Sequence, residues 1–285
     1  MSFSAQPLTI RKAVVGDHRA LANFLLDEIN THRHLDWRMP LEWLGAEPFV
    51  IAETNGHIQG VLACPPDPEH TYWIRLFSAS DVFSIQRTWD ELFDCALQSI
   101  PTGQSNILAA IVLQDWFEDL LRHSGFERRQ DIVVLEWSEG LPDSETSPAG
   151  VIVRPMVQED LPDIVEVDHA AFDPLWQNSV DGLQTAYDQS AYCTVAESEA
   201  GVIGYQISTA VGLSGHLARL AVNPAAQRAH IGYNLVRDML AHFLNQGIWR
   251  VTVNTQSDNH ASLTLYTKTN FHRTGEEFPV FVLAR

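Results

Sequence analysis

The chain has 285 residues, of which 45% are hydrophobic and 19% are charged, and its formal net charge is −18 at pH 7. This composition predicts a globular protein of two domains, and an acidic surface disfavours nucleic acid and anionic membranes as partners. No apolar stretch approaches the roughly 18 residues of a membrane span. The N-terminus lacks a signal-peptide pattern, so we expect a cytoplasmic protein. Three widely separated cysteines predict neither a disulfide framework nor a metal site.

The two halves of the sequence resemble each other at a nearly constant offset of 143 to 145 residues. A stretch rich in Ser, Pro, Gly and acidic residues, 138–150, separates them. We therefore predict a tandem duplication, with a first domain at 7–137, a linker at 138–150 and a second domain at 151–285. The corresponding pairs include Arg11 and Arg154, Val14 and Val157, Asp17 and Asp160, Ala52 and Ala196, Glu53 and Glu197, Gly60 and Gly204, and Phe126 and Phe271.

The hydrophobic pattern of the second half predicts a mixed α/β fold in which antiparallel hairpins alternate with helices. In chain order the predicted elements are a strand at 151–156, a helix at 158–172, a hairpin within 190–210 that turns at Ala200 and Gly201, a strand at 217–222, a helix at 231–244, a strand at 250–254, a helix at 261–269 and a strand at 278–284. In the first half we expect a helix beginning near Ser84, which corresponds to the one at Ile231.

The segment 217–243 takes a buried strand through a short loop directly into a helix. The strand ends in Leu220, Ala221 and Val222, and small residues precede the helix. A helix beginning this way presents unpaired backbone N–H groups and the positive end of its dipole. The segment therefore predicts an anion-binding site.

Two motifs here resemble those of the GNAT superfamily of acyl-CoA N-acyltransferases. The loop from Gln227 to Gly232, Gln-Arg-Ala-His-Ile-Gly, is similar to the family's Gln/Arg-x-x-Gly-x-Gly/Ala. The segment from Asn259 to Phe271 is similar to its Asn-x-x-Ala/Ser-x-x-Leu-Tyr-x-Lys-x-Gly-Phe. The chain departs from these patterns at His230 and Asn270, which replace glycines. His and Asn are among the residues that adopt positive φ most readily. The resemblance implies two tandem domains, each a mostly antiparallel twisted sheet flanked by helices.

The resemblance also implies acetyl-CoA as the cosubstrate. Backbone N–H groups near Leu220 and Val222 would hold the thioester carbonyl and the pantetheine arm, and the loop would cradle the pyrophosphate. Tyr266 would give its proton to the departing thiolate as a general acid. The cofactor-binding residues implied are Leu220, Ala221, Val222, Gln227, Arg228, Ala229, His230, Ile231, Gly232, Tyr233, Asn259, Ser262 and Tyr266.

The general base has several candidates. Related protein-alanine acetyltransferases often carry Glu at the position of Asn254, which cannot accept a proton but could hold a water. Asp173, His169 and His216 are the alternatives. The segment 171–176, Ala-Phe-Asp-Pro-Leu-Trp, resembles the family's Phe-x-x-Pro-Trp acceptor loop. The residues expected to contact the acceptor, a neutral or cationic amine, are Phe172, Asp173, Trp176, Glu276 and Glu277.

The first half lacks these motifs. No glycine lies between Gly60 and Gly103, Asp81 would place a negative charge where pyrophosphate binds, and Leu121 stands at the position of Tyr266. We expect a GNAT-like domain without a cofactor site, in which His32 and His34 lie in a solvated loop. The leading hypothesis is an N-acetyltransferase, monomeric or homodimeric, that acts on a small-molecule or peptide amine. The alternative is a non-catalytic acyl-CoA sensor.

Overall fold

The computed structural model describes residues 7–102, 105–145 and 149–284, apart from the side chain of Asp27. The chain forms two compact units, which we call the first and the second unit. The first contains the residues up to Arg129 together with those from Pro279 onward, and the second runs from Gln130 to Phe278. Among the described residues, none of the helices is long and apolar enough to cross a membrane.

The first unit contains an antiparallel five-stranded sheet and a second, smaller group of strands. Its elements are β1 (Thr9–Lys12), α1 (His18–Asp27), β2 (Asn30–Arg33), β3 (Phe49–Thr54), β4 (His57–Ala63), β5 (Thr71–Trp73), β6 (Leu76–Ala79), α2 (Ile85–Ser99), β7 (Ile107–Ile111) and α3 (Asp115–His123). The strand order of the larger sheet is β1-β3-β4-β6-β2. As predicted, α2 begins near Ser84, which is its N-cap residue and whose side chain accepts a hydrogen bond from the backbone of Arg87.

The second unit is a mixed, mostly antiparallel sheet flanked by helices. Its elements are β8 (Glu127–Trp137), β9 (Ile152–Pro155), α4 (Leu161–Ala171), α5 (Val180–Asp188), β10 (Tyr192–Ser198), β11 (Gly201–Val211), β12 (Ser214–Val222), α6 (Ile231–Asn245), β13 (Arg250–Gln256), α7 (His260–Lys268) and β14 (Phe271–Ala284). The strand order is β14-β8-β13-β12-β11-β10-β9, and β12 and β13 run parallel. This architecture confirms the predicted fold class.

Strands β8 and β14 each contribute residues to both units. Residues 132–137 of β8 pair with β13 in the second unit, whereas residues 280–284 of β14 pair with β7 in the first. The predicted domain limits, 7–137 and 151–285, differ from the two units at residues 130–137 and 279–285 for this reason. Those limits stay a proposal about the duplicated halves of the sequence. Residues 146–148 of the predicted linker lie outside the described residues.

Most predicted elements of the second half are confirmed, with two differences. Strand β14 begins at Phe271 rather than at 278. The prediction missed its first part because residues 272–277 are exposed and mostly polar, which hides the strand pattern. Helix α5 was not predicted, since it is short and contains Gly182. Its cap was a usable signal: the Ser179 side chain accepts a hydrogen bond from the backbone of Gly182.

An ion-pair network recurs in the two units and supports the duplication. Arg11 lies on β1 and contacts the carboxylates of Asp17 and Glu53 at 2.8 and 2.6 Å. The arginine holds the pKa of the Asp17 carboxyl below its usual value. The same two distances recur in the second unit, between side chains that correspond to these by sequence, namely Arg154, Asp160 and Glu197. In each unit this network joins the strand before the first helix, β1 or β9, to the turn that leads into that helix.

The prediction that His32 and His34 lie in a solvated loop is wrong. His32 is 2% exposed on β2, stacks on Phe117 at 4.0 Å and places its Nε2 3.1 Å from the Ile74 carbonyl oxygen. The ring of His34 stacks on Trp73. Burial lowers the pKa of His32 to about 4, because the charged imidazolium loses its hydration. Packing against aromatic rings from distant parts of the sequence decided this placement.

This burial predicts a pH-dependent stability. The unfolded chain binds a proton at His32 below pH 6.5, whereas the folded chain binds it only near pH 4. The free energy of unfolding should therefore fall by about 3 kcal/mol between pH 6.5 and 4 from this residue alone. Denaturant titrations of His32→Phe should show a shallower decrease than the wild type over that range. His57→Phe, at an exposed histidine of β4, is the control. An unchanged slope in His32→Phe would contradict the assignment.

Candidate active site

Strands β12 and β13 separate partway along their length and open a slot in the sheet. They pair in parallel only from Ser214 to Leu217 on β12, opposite Arg250 to Val253 on β13. An irregularity coincides with the separation, because Leu217 faces Ser208 on β11 whereas Arg219 faces Ile207, which leaves Ala218 as an extra residue. Such a bulge bends the strand that carries it. Residues 218–222 of β12 therefore keep no β13 partner within the described chain. Residues 219–222 still pair with β11 on their other side, so only the β13 side of this segment lines the slot.

The loop that follows β12 adopts the backbone geometry that its motif requires. Arg228 has a φ of 64° and His230 a φ of 58°, both in the left-handed region. Asn270, the other residue that replaces a family glycine, has a φ of 68°. His and Asn tolerate this region better than most side chains. The two departures from the family pattern thus keep the positive φ that a glycine would supply.

The loop leads directly into α6. Among the residues that the structure describes, no side chain caps the first backbone N–H groups of this helix. His230 is the N-cap residue of α6, and its side chain does not cap the helix. The Gln227 side chain instead donates to the carbonyl of Val222 at 3.1 Å, which holds the loop against the end of β12. The first-turn N–H groups of α6 and the helix dipole together form a site suited to an anion.

Gly232 packs tightly in the first turn of α6. An added Cβ there would lie 3.2 Å from Cδ2 of Leu265 on α7 and 3.6 Å from Cγ2 of Val222 on β12. The glycine therefore serves close packing here. The positive φ values of this loop are at Arg228 and His230, four and two residues earlier.

Residues 142–145 of the predicted linker lie beside this loop, a contact that was not predicted from the sequence. The hydroxyl of Tyr233 donates to the carbonyl of Asp143 at 2.9 Å, and Nε of Arg237 donates to that of Pro142 at 3.0 Å. His230 Nδ1 lies 3.5 Å from a carboxylate oxygen of Glu145. A cavity of about 400 Å³ adjoins these groups. Its lining residues include Leu141, Pro142, Glu145, His230, Lys268 and Asn270.

Tyr266 lies on α7 and is 4% exposed. Its ring packs 5.6 Å from that of Phe271, within the apolar cluster that also contains Leu217 and Val253 at the mouth of the slot. Burial raises the pKa of Tyr266, because the phenolate would lose its hydration. Among the described residues its hydroxyl has no hydrogen-bond partner. A neutral phenol with an uncommitted proton is suited to act as an acid.

Asn259 caps α7. Its Oδ1 accepts a hydrogen bond from the backbone N–H of Ser262 at 3.1 Å, and its Nδ2 donates to Oε1 of Gln256 at 3.3 Å. The Asn of the family motif is therefore also the N-cap residue of α7, and this local role is sufficient to account for an Asn at this position. A role of Asn259 and Ser262 in holding the cofactor stays a prediction.

The four candidate bases occupy different environments. Asn254, Asp173 and His169 are exposed. His216 is half-buried on β12, and its Nδ1 lies 2.8 Å from Oγ1 of Thr252, one residue before the last paired register of β12 and β13. Burial lowers the pKa of His216, so the ring stays neutral at pH 7. Among these candidates His216 and Asn254 flank the last paired register, Leu217 and Val253, at the opening of the slot. Of these two only His216 can accept a proton.

The predicted acceptor loop is held against β12. Its residues Pro174–Trp176 form a short 3-10 helix whose Leu175 is buried. The guanidinium of Arg219 lies 3.6 Å from the centre of the Phe172 ring and donates to the carbonyl of Trp176 at 2.6 Å. Glu276 and Glu277, the other expected acceptor residues, lie on the exposed part of β14. The carboxylate of Glu277 is 3.8 Å from Arg273, which offsets its charge.

A buried ionic network that the sequence analysis missed anchors this loop. Asp168 on α4 is 0% exposed, and its carboxylate accepts hydrogen bonds from the Tyr205 hydroxyl at 2.6 Å and from Nε of Arg219 at 2.8 Å. Its other oxygen accepts from the backbone N–H of Asn178 at 2.9 Å. Two sequence signals were available: an acid on the apolar face of α4, and an arginine within an apolar strand.

Comparison with known families matches residues 161–271 to the model of the acetyltransferase (GNAT) family. No match is found among the curated proteins. Several solved structures share the fold over the whole chain. A GCN5-related N-acetyltransferase from Sphaerobacter thermophilus has a TM-score of 0.62 at 14% identity, with 98% of this chain and 97% of that one covered.

Two further structures extend this result. A tandem GNAT protein from the clavulanic acid biosynthesis pathway has a TM-score of 0.65 at 14% identity and covers 98% of both chains. A probable N-acyltransferase from Enterococcus faecalis has a TM-score of 0.68 at 10% identity, covering 98% of this chain and 73% of that one. These identities show the fold alone. The first half of the chain thus also has a GNAT-like fold, as the internal resemblance predicts.

Proposed function

We propose that this chain, whose residues 161–271 form a domain of the GNAT acetyltransferase family, transfers an acetyl group from acetyl-CoA to a primary amine. The observation that carries the proposal is the slot between β12 and β13, which ends at the uncapped N-terminus of α6. Tyr266 and His216 flank that slot. The acceptor would be a small-molecule or peptide amine.

The backbone of the second unit would hold the cosubstrate. N–H groups of the loop and first turn of α6, from Arg228 to Tyr233, would bind the pyrophosphate, to which the exposed Arg228 adds a positive charge. The unpaired N–H groups of β12 near Leu220 and Val222 would bind the thioester carbonyl and stabilise the negative charge that develops on its oxygen. These residues fit the group because the loop and strand leave their N–H groups without side-chain partners.

Two side chains would move the protons of the reaction. Nε2 of His216 would accept a proton from the amine as its nitrogen bonds to the thioester carbon, while Thr252 holds Nδ1 in place. Tyr266 would donate its phenolic proton to the sulfur as the carbon–sulfur bond breaks. The products are then the amide and the free thiol. Burial favours the required starting forms of both groups, a neutral imidazole and a neutral phenol.

The assignment of the base predicts a pH effect. Because the pKa of His216 lies below its ordinary value of 6.5, kcat/KM should show a limb from this residue on the acidic side of pH 6.5, separate from the limb that the ionisation of the amine itself produces. His216→Gln should remove that acidic limb and lower kcat/KM by about 10²-fold or more. His169→Gln changes the exposed alternative base and should keep both the acidic limb and the wild-type kcat/KM. The reverse outcome in a pH–rate series would show that His216 is not the base.

The acceptor loop makes a second prediction. Asp173→Asn and Trp176→Ala should each raise the KM for the amine and spare the KM for acetyl-CoA, because a carboxylate and an aromatic face both favour a cation. Glu199→Gln, which removes an exposed charge in the turn between β10 and β11, is the matched control. Steady-state kinetics with each substrate varied separately make the measurement. An unchanged amine KM in both variants would contradict the acceptor assignment.

An acceptor screen tests the function as a whole. Amines and short peptides are incubated with acetyl-CoA, and release of the free thiol is followed together with binding by calorimetry. We expect one acetyl-CoA site per chain and turnover with a neutral or cationic amine. One site with no turnover for any acceptor would favour an acyl-CoA sensor, and no binding would reject both functions.

A further inference from the structure

We propose that Arg219 is a positioning residue that ties the acceptor loop to the strand of the acyl-transfer slot. Its guanidinium, oriented by Asp168, would set where the amine stands relative to the thioester carbon. The inference rests on the proposed function for its catalytic consequence. Its structural basis is the set of contacts that Arg219 makes with α4 and with the loop 172–178.

The loop is held at three points along its length. The Phe172 ring lies under the guanidinium at 3.6 Å, and the carbonyl of Trp176 accepts a hydrogen bond from Nη2 of Arg219 at 2.6 Å. The backbone N–H of Asn178 donates to Asp168 at 2.9 Å. All three points depend on one ion pair, because Asp168 also orients Arg219. A loop fixed at its beginning, middle and end has few alternative conformations.

Arginine is suited to this task in a way that lysine is not. Its planar guanidinium stacks on Phe172 while separate N–H groups reach Asp168 and Trp176. A lysine offers one ammonium group and no flat face, so it cannot make these contacts together. The side chain of Arg219 is 14% exposed and that of Asp168 is fully buried. Neither charge can be left unpaired there without a large cost, so the pairing is specific.

The contacts of Arg219 and Asp168 with the loop 172–178, which we call the anchor, lie close to the proposed acyl-transfer groups. Arg219 directly precedes Leu220, whose strand lines the slot. Because Ala218 is an extra residue, His216 and Arg219 lie on the same face of β12. The positive charge of Arg219 also lowers the pKa of Tyr266, opposing the larger effect of burial. The anchor therefore links the acceptor loop, the proposed base and the proposed acid.

The test compares Arg219→Lys with the wild type in two measurements. In kinetics, we expect a roughly tenfold or larger rise in the amine KM or fall in kcat, because small displacements of reacting groups are costly. The dissociation constant for acetyl-CoA should change less than about twofold, since its proposed binding groups are backbone N–H groups, which the substitution keeps. In hydrogen exchange of the free protein, the peptide covering 172–178 should exchange faster while β10 stays protected.

Controls separate anchoring from general destabilisation. Arg154→Lys weakens a comparable arginine held by two carboxylates in the same unit and should alter neither kinetics nor exchange at 172–178. Adding low-millimolar guanidinium chloride to Arg219→Ala should partly restore the wild-type kinetics, which a folding defect would not permit.

The outcomes distinguish the two proposals. Unchanged exchange at 172–178 in Arg219→Lys would overturn the anchor whatever the activity of the protein. Faster exchange with unchanged amine KM and kcat would overturn the catalytic consequence. A wild-type protein that transfers no acetyl group would instead reject the proposed function, and the exchange measurement would still report on the anchor.

Discussion

Tyr266→Phe will lower kcat about 10²–10⁴-fold while leaving the affinity for acetyl-CoA nearly unchanged. The variant removes one hydroxyl and keeps the ring that packs against Phe271. Among the described residues that hydroxyl has no hydrogen-bond partner, so its loss breaks no structural contact. The departing thiolate would then have no acid beside it, and carbon–sulfur bond cleavage would slow. Single-turnover kinetics measure the chemical step, and calorimetry measures the binding.

Tyr192→Phe is the matched control for this experiment. Tyr192 is a half-buried tyrosine of the second unit, and its hydroxyl donates to Asp238 at 2.9 Å. We expect its loss to lower stability slightly and to leave the chemical step unchanged. If Tyr266→Phe keeps the wild-type rate while chemistry is rate-limiting, the acid is another group.

Gly232→Val will weaken acetyl-CoA binding by roughly 100-fold or more, equivalent to about 2.7 kcal/mol. A Cβ at this position already lies 3.2 Å from Leu265, and the two methyl groups of valine extend further. The start of α6 must then shift away from α7 and β12, and such overpacking typically costs about 1–3 kcal/mol. The shift would move the first-turn amides that are proposed to bind pyrophosphate. Calorimetry with acetyl-CoA makes the measurement.

Gly16→Val is the control for the glycine substitution. Gly16 lies in the first unit, its φ is not in the left-handed region, and an added Cβ would meet no atom within 4 Å. This variant should bind acetyl-CoA as the wild type does. Gly232→Ala should fall between the two, because only a flexible Leu265 side chain must give way. Wild-type affinity in Gly232→Val would place the pyrophosphate site elsewhere.

Features that depend on neighbouring residues in the chain could be predicted from the sequence. The helix beginning at Ile231 and the hairpin turning at Ala200 follow from periodicity and turn residues. The helix beginning near Ser84 follows from its correspondence to the one at Ile231. The positive φ values at His230 and Asn270 follow from motif positions that a glycine usually fills. Such features depend on the conformational preferences of only a few consecutive residues, so they can be predicted from the local sequence.

Contacts between distant residues could not be predicted in this way. Arg219 and Asp168 are separated by 51 positions, and their pairing depends on how α4 packs against β12. The choice among the candidate bases likewise depended on burial, since His216 and His169 look alike in sequence. The contact of Glu145 with His230 arises because the predicted linker runs along α6.

By itself, the sequence determined the duplicated architecture, the position of the loop before α6 and the identity of the proposed acid, Tyr266. It did so because repeats and short motifs are properties of residue order. Only the tertiary structure decided that His32 is buried, that β8 and β14 contribute to both units, and that Arg219 donates to the carbonyl of Trp176. The physical reason is that burial and charge pairing are set by side chains from remote segments, which meet only when the sheet and its helices pack together.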